Sequence, residues 1–91
     1  MEIKYQVCYI DEVVKKHIPN LSSNIKLIIK RAIEERLMID PISFGKPLRY
    51  TLKGYRRLRV GDYRIVYRIN DKHKILTIVA IKHCKDIYNN M

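Results

Sequence analysis

Hydrophobic and polar positions change period twice along the chain. Ile3, Tyr5, Val7 and Tyr9 alternate with Lys4, Gln6 and Cys8, the two-residue period of a half-buried strand over residues 2–10. A short helix is predicted from Asp11, a good N-cap, and ends before Pro19, because the residue before a proline is pushed out of the helical region. Ser22 or Ser23 caps a second helix, along which Ile25, Ile28, Ile29, Ala32, Ile33 and Leu37 recur at helical spacing. Lys26, Lys30, Arg31, Glu34 and Glu35 cover its outer face, where the Lys30–Glu34 and Arg31–Glu35 spacings pair opposite charges. Asp40-Pro41 stops this helix. A loop through Ser43, Gly45 and Pro47 then leads to strands near 48–53, 55–60, 63–70 and 74–82. The expected fold is α+β, in the order β-α-α-β-β-β(-β), with two N-terminal helices packed on a small antiparallel-rich sheet in one domain over 1–91.

The alternation is sharpest in GYRRLRVGDYR, residues 54–64, which holds Arg56, Arg57, Arg59 and Arg64. Gly61-Asp62 suits a two-residue turn with glycine first, where φ must be positive. That turn pairs Val60 with Tyr63, Arg59 with Arg64, Leu58 with Ile65 and Arg57 with Val66. Leu58, Val60, Tyr63, Ile65 and Tyr67 then share the face under the long helix, with Tyr63 and Tyr67 as core residues. Tyr55, Arg57, Arg59, Arg64 and Arg68 share the other. Arg59 opposite Arg64 is a like-charge pair that destabilises a sheet by roughly 0.2–1 kcal/mol. An anion over this face would remove the repulsion and add charge-assisted, bidentate hydrogen bonds.

Charge sharpens that picture. The chain of 91 residues carries 19 basic and 9 acidic side chains, a formal net charge of +10. Residues 1–40 hold seven basic and six acidic residues, and residues 41–91 hold twelve and three. A basic half of this kind implies an anionic partner rather than only a solvated surface. A membrane surface would favour a lysine-rich amphipathic helix, whereas the long helix here has mixed charge. No charged-then-apolar leader is read at the N-terminus, and the longest apolar run, LTIVAI at 76–81, is too short to span a bilayer. Cys8 and Cys84 read as two free thiols in a reducing cytoplasm. Cys84 is either a thiol made reactive by Lys82 and Lys85 or a buried, inert one. No Cys or His cluster has metal-ligand spacing, so neither metal nor cofactor is expected. His17 and His73 read as surface residues. His83 is open: it titrates near neutrality and can shuttle a proton, and it can equally serve as a structural hydrogen-bonding group.

Guanidiniums beside a tyrosine on a sheet suit a phosphodiester backbone with bases to stack. RNA is favoured over DNA because it brings its own nucleophile, the 2′-hydroxyl. A protein then has to supply a base, cations for the phosphorane and an acid for the leaving 5′-oxygen.

The segments 48–51, LKGYRRLRVGDYRIVYRI at 52–69 and IKHCKDIY at 81–88 resemble the RelE/ParE superfamily of bacterial type II toxin–antitoxin systems, and the ending from His83 to Tyr88 resembles its RelE branch. The resemblance covers nearly the whole chain. It implies a ribosome-dependent endoribonuclease that cuts mRNA without a metal, held inactive by an acidic, RelB-like antitoxin partner. By position it assigns Arg57 to a basic site near the scissile phosphate, and Arg59 and Arg64 to the arginines flanking the turn, with Arg64 stabilising the transition state. His83 and Tyr88 complete the catalytic set, Tyr88 acting near the 2′-hydroxyl. Lys53, Tyr55, Arg68, Lys82 and Lys85 are the further RNA contacts. Tyr55 stands where some members have lysine. Cys84 stands where arginine usually follows the histidine, leaving Lys82 or Lys85 to supply that cation. The alternative within the superfamily is a ParE-like toxin that poisons DNA gyrase by protein contacts and cleaves nothing.

Overall fold

The computed structural model of the chain describes residues 4–47 and 54–84. Strand β1, Gln6–Tyr9, runs into a π-helical turn at Val13–His17. Helix α1, Ser23–Ala32, continues into a second π-helical turn at Ile33–Leu37. Ser22 is the N-cap, its hydroxyl accepting the Ile25 N–H at 3.3 Å. The wide turns show in the bonds that close them: the Ile18 N–H donates to the Val13 carbonyl and the Met38 N–H to the Ile33 carbonyl, both at 2.8 Å.

A short helix α2, Pro41–Phe44, replaces the start of the expected loop. Asp40 accepts the Ser43 N–H at 3.2 Å and Pro41 fills the first helical position, so Asp40-Pro41 ends one helix and begins another. Among the described residues strand β2 is Lys46–Pro47, and the strand expected near 48–53 lies outside them. Strands β3, Tyr55–Val60, β4, Tyr63–Asn70, and β5, Ile75–His83, form the rest of the sheet. Its order is β1-β5-β4-β3-β2, with β1 parallel to β5 and every other pairing antiparallel. The mixed α+β architecture is as expected.

The helices cover one face of this sheet. Leu58, Ile65, Tyr67, Leu76, Ile78 and Ile81 from the strands meet Val13, Leu21, Ile29, Ala32, Ile33 and Leu37 from the helical layer. Ile28, expected in the stripe, is instead 42% exposed; it lies on the flank of the narrower line that Ile29, Ala32, Ile33 and Leu37 bury. The apolar character of β5 on both of its faces has a geometric cause. Val66 pairs with Ala80 but Tyr67 pairs with Ile78, so Val79 bulges from the ladder and Ile78 and Ile81 both reach the core. Among the described residues no helix is long and apolar enough to cross a membrane. Cys8 is exposed and Cys84 buried, each a free thiol.

His17 is not the surface residue expected. Its Nδ1 accepts the Ile81 N–H at 3.2 Å, satisfying β5 beyond the point where β1 stops pairing with it. Burial, helped by the nearby Lys82 charge, lowers its pKa from 6.5. Above that value both folded and unfolded chains carry a neutral ring, and the bond contributes fully. Below it the unfolded chain takes up a proton that the folded one resists, so this contribution is lost as pH falls through the folded value. His17→Gln keeps an acceptor without the titration. Urea midpoints at pH 7.5 and pH 5 are expected to drop less in this variant than in the parent protein.

Candidate nucleic-acid interface

The hairpin from β3 to β4 sets the site. Gly61 has φ +60°, and the residue after it does not share the left-handed conformation, which is the arrangement of a turn with glycine first. The register is the one the sequence predicts: Val60 opposite Tyr63, Arg59 opposite Arg64, Leu58 opposite Ile65, and Arg57 opposite Val66. Directly paired residues project to the same side, so the outward face can be followed strand by strand.

Three rows cross that face. Arg59 pairs with Arg64, and Arg64 with Lys82. Neighbouring strands lie about 4.8 Å apart, so three cations fall within about 10 Å. The next row runs Lys46, Arg57, Val66, Ala80. The third runs Tyr55, Arg68, Thr77, Cys8, with the Arg68 guanidinium carbon 5.8 Å from the centre of the Tyr55 ring. None of the strand positions facing outward among the described residues is acidic. The ion pairs formed between described residues, Arg31–Glu35 from α1 to the π-helical turn that follows it and Lys74–Asp71 in the β4–β5 turn, lie elsewhere. Arg57, Arg64 and Lys82 are half-buried, while Arg59 and Arg68 are exposed. Arg59 is held at the turn, its Nε donating to the Gly61 carbonyl at 3.0 Å. The small, uncharged Val66 and Ala80 leave a shallow floor between the outer rows.

Of the predicted site residues, Arg57, Arg59, Arg64, Arg68, Tyr55 and Lys82 come together on this face. Lys53, Lys85 and Tyr88 lie outside the described residues. His83 is placed apart from the arginines: it pairs with Tyr63 on the helix side, its ring edge-on to Tyr63 with centroids 5.2 Å apart. Lys46 joins the face unforeseen, because its segment read as loop; the basic residue beside Pro47 was the available signal. Arg56 belongs to the fold. It projects to the helix side, and its terminal nitrogen donates to the Ile42 carbonyl at 2.7 Å and the Gly45 carbonyl at 2.9 Å, tying α2 to the sheet.

Residues 10–88 match the family model for the ParE toxin of the type II toxin–antitoxin system parDE. The chain belongs to this family. It thereby falls in the RelE/ParE superfamily of toxins, as its motifs indicate. Toxin RelG of Mycobacterium tuberculosis is 45% identical over 49 residues, 54% of this chain and 56% of the relative. Toxin RelE of the same organism is 47% identical over 45 residues, 50% and 46% of the two. The chain thus spans about half the length of the curated relatives it matches. The toxin–antitoxin complex RelBE2 of M. tuberculosis contains a chain that superposes with a TM-score of 0.82 at 29% identity, covering 91% of this chain and 94% of that one. A mutant of the E. coli toxin RelE, solved with a peptide of the antitoxin RelBc, gives a TM-score of 0.70 at 21% identity over 96% and 93% of the two chains. That likeness is one of fold.

Proposed function

We propose that this ParE-family toxin is a ribosome-dependent endoribonuclease that cleaves mRNA by attack of the substrate's own 2′-hydroxyl. The observation that carries the reading is the row Arg59–Arg64–Lys82, three cations side by side on adjacent strands. Among the described residues, none of the outward-facing strand positions is acidic.

In the proposed reaction a base removes the 2′-hydroxyl proton, the oxygen bonds to phosphorus, and the bond from phosphorus to the 5′-oxygen breaks as that oxygen takes up a proton. The products are a 2′,3′-cyclic phosphate, or the 3′-phosphate from its hydrolysis, and a 5′-hydroxyl. Arg64, between Arg59 and Lys82, would carry the phosphorane charge; Arg57 and Lys46 would hold the adjoining backbone. Tyr88 is assigned the 2′-hydroxyl on the strength of the motif it closes. This chemistry calls for no metal ion. His83, against Tyr63, is better suited to supporting the edge of the site than to touching phosphate.

An acidic antitoxin segment is the matching partner. The relatives solved as toxin–antitoxin complexes support one, and so does the charge of this face. Such segments commonly order on binding. The deciding experiment is expression in bacteria with mapping of mRNA 5′ ends, alongside an assay for gyrase-dependent DNA breaks. New 5′-hydroxyl ends on ribosome-bound mRNA are expected; 5′-phosphate ends would overturn the chemistry. Ribosome association should weaken steeply with salt, as release of counterions requires, and an affinity unchanged between 50 and 200 mM salt (roughly the span over which such contacts fade) would contradict it.

A second reading, poisoning of DNA gyrase, is favoured by the family model itself, which is named for ParE. DNA breaks without mRNA cleavage would select it.

A further inference from the structure

We infer that Arg68, lying over the Tyr55 ring, forms with it a nucleobase platform, a subsite separate from the phosphate row that holds a nucleotide flanking the cleaved one. The inference rests on the endoribonuclease reading and adds to it a place where a base, rather than a phosphate, is bound.

Arg68 and Tyr55 are direct cross-strand partners, and the guanidinium lies over the ring at 5.8 Å, within reach of a cation–π contact. Tyr55 is half-buried and Arg68 exposed, so the ring is the more sheltered of the two and the guanidinium is offered to solvent. A guanidinium is planar and weakly hydrated, and bases stack on it as they do on aromatic rings. Position separates this pair from the phosphate-binding group. Four residues along β4 separate the backbones of Arg68 and Arg64 by about 13 Å, and the Arg68 guanidinium is engaged with the Tyr55 ring. Val66 lies between them on the same face, paired with Ala80, so no bulky or charged side chain of β4 or β5 interrupts the path. Along the row, Thr77 is paired with Arg68 and the exposed Cys8 with Thr77, leaving low relief around the platform. A strand whose scissile phosphate sits at Arg64 can therefore lay a neighbouring base on Arg68.

The test is cleavage on programmed ribosomes of mRNAs carrying one abasic nucleotide at each position flanking the cut. With the parent protein, one flanking position is expected to be sensitive, its abasic form raising KM by about tenfold, the scale of one stacked base, with kcat little changed. Arg68→Ala should show that raised KM on intact mRNA and no further penalty from the abasic site. Arg68→Lys keeps the charge but not the plane and is expected to behave like Arg68→Ala, and Tyr55→Ala, which removes the ring beneath the guanidinium, should raise KM on intact mRNA in the same direction. Uniform sensitivity to every abasic position, or an abasic penalty undiminished in Arg68→Ala, would overturn the platform while leaving the nuclease reading in place. Absence of cleavage by the parent protein on intact mRNA would instead overturn the nuclease reading beneath it.

Discussion

Arg64→Ala is expected to lower mRNA cleavage by about 10²–10³-fold, the usual loss when one preorganised donor to a developing oxyanion is removed. Arg64 is the middle member of the cationic row, paired with Arg59 on one side and Lys82 on the other. It is half-buried, and so less screened than a fully exposed charge. The protein should remain folded, because the core side chains Ile65 and Tyr67 project from β4 to the face opposite Arg64. Arg64→Lys should restore little, since an ammonium is a point charge and cannot reproduce a bidentate fork. Single-turnover cleavage on programmed ribosomes, with a parallel ribosome-binding assay, checks both points. Near-normal cleavage by Arg64→Ala would remove the central residue of the proposed mechanism.

Gly45→Ala should be the most damaging small substitution to the fold. Gly45 has extended backbone angles open to any residue, so its requirement for glycine is one of space. A Cβ there would overlap the Tyr67 hydroxyl, lie 2.7 Å from the ring carbon bearing it and 3.0 Å from the Arg57 carbonyl. Neither neighbour yields easily. Tyr67 is fully buried, its hydroxyl donating to the Pro41 carbonyl at 2.6 Å, and the Arg57 carbonyl is part of β3. Overpacking of this kind costs about 1–3 kcal/mol, occasionally more, and a denaturant midpoint measures it. Tyr67→Phe in the same chain is expected to recover only part of the loss: it deletes the overlapping oxygen but leaves the ring carbon in place and the Pro41 carbonyl without its donor. Full additivity of the two substitutions would show that the contact is not the cause.

Local rules made the hairpin legible. Gly61 fixes the turn, the turn fixes the register, and the register separates Arg57, Arg59, Arg64 and Arg68 from Leu58, Ile65 and Tyr67. Pairings distant in sequence were not legible in the same way. Nothing local to Gln6–Tyr9 announces a parallel partner at Ile75–Ile78. The Val79 bulge breaks the alternation that would have shown Lys82 facing the arginines and His83 turned away. Asp40-Pro41 carried two meanings at once, a stop for one helix and a cap for the next. His17 was misread because a histidine that serves one backbone N–H leaves no periodic trace. Arg56, in the middle of the motif, was distinguishable by parity alone: its neighbours Arg57 and Tyr55 face outward, so it must face the helices and find acceptors there.

The parallel pairing of β1 with β5 also bears on the timing of synthesis. Gln6 emerges early but its ladder partner, Ile75, must still be translated, and β5 in turn supplies Leu76, Ile78 and Ile81 to the core. The first strand therefore has no neighbour, and the helical layer no complete floor, until β5 has been made. Vectorial growth from the N-terminus cannot close such a sheet in stages, as it can a chain of local hairpins. A nascent chain of this topology completes its cationic face only once β5 has brought Lys82 beside Arg64.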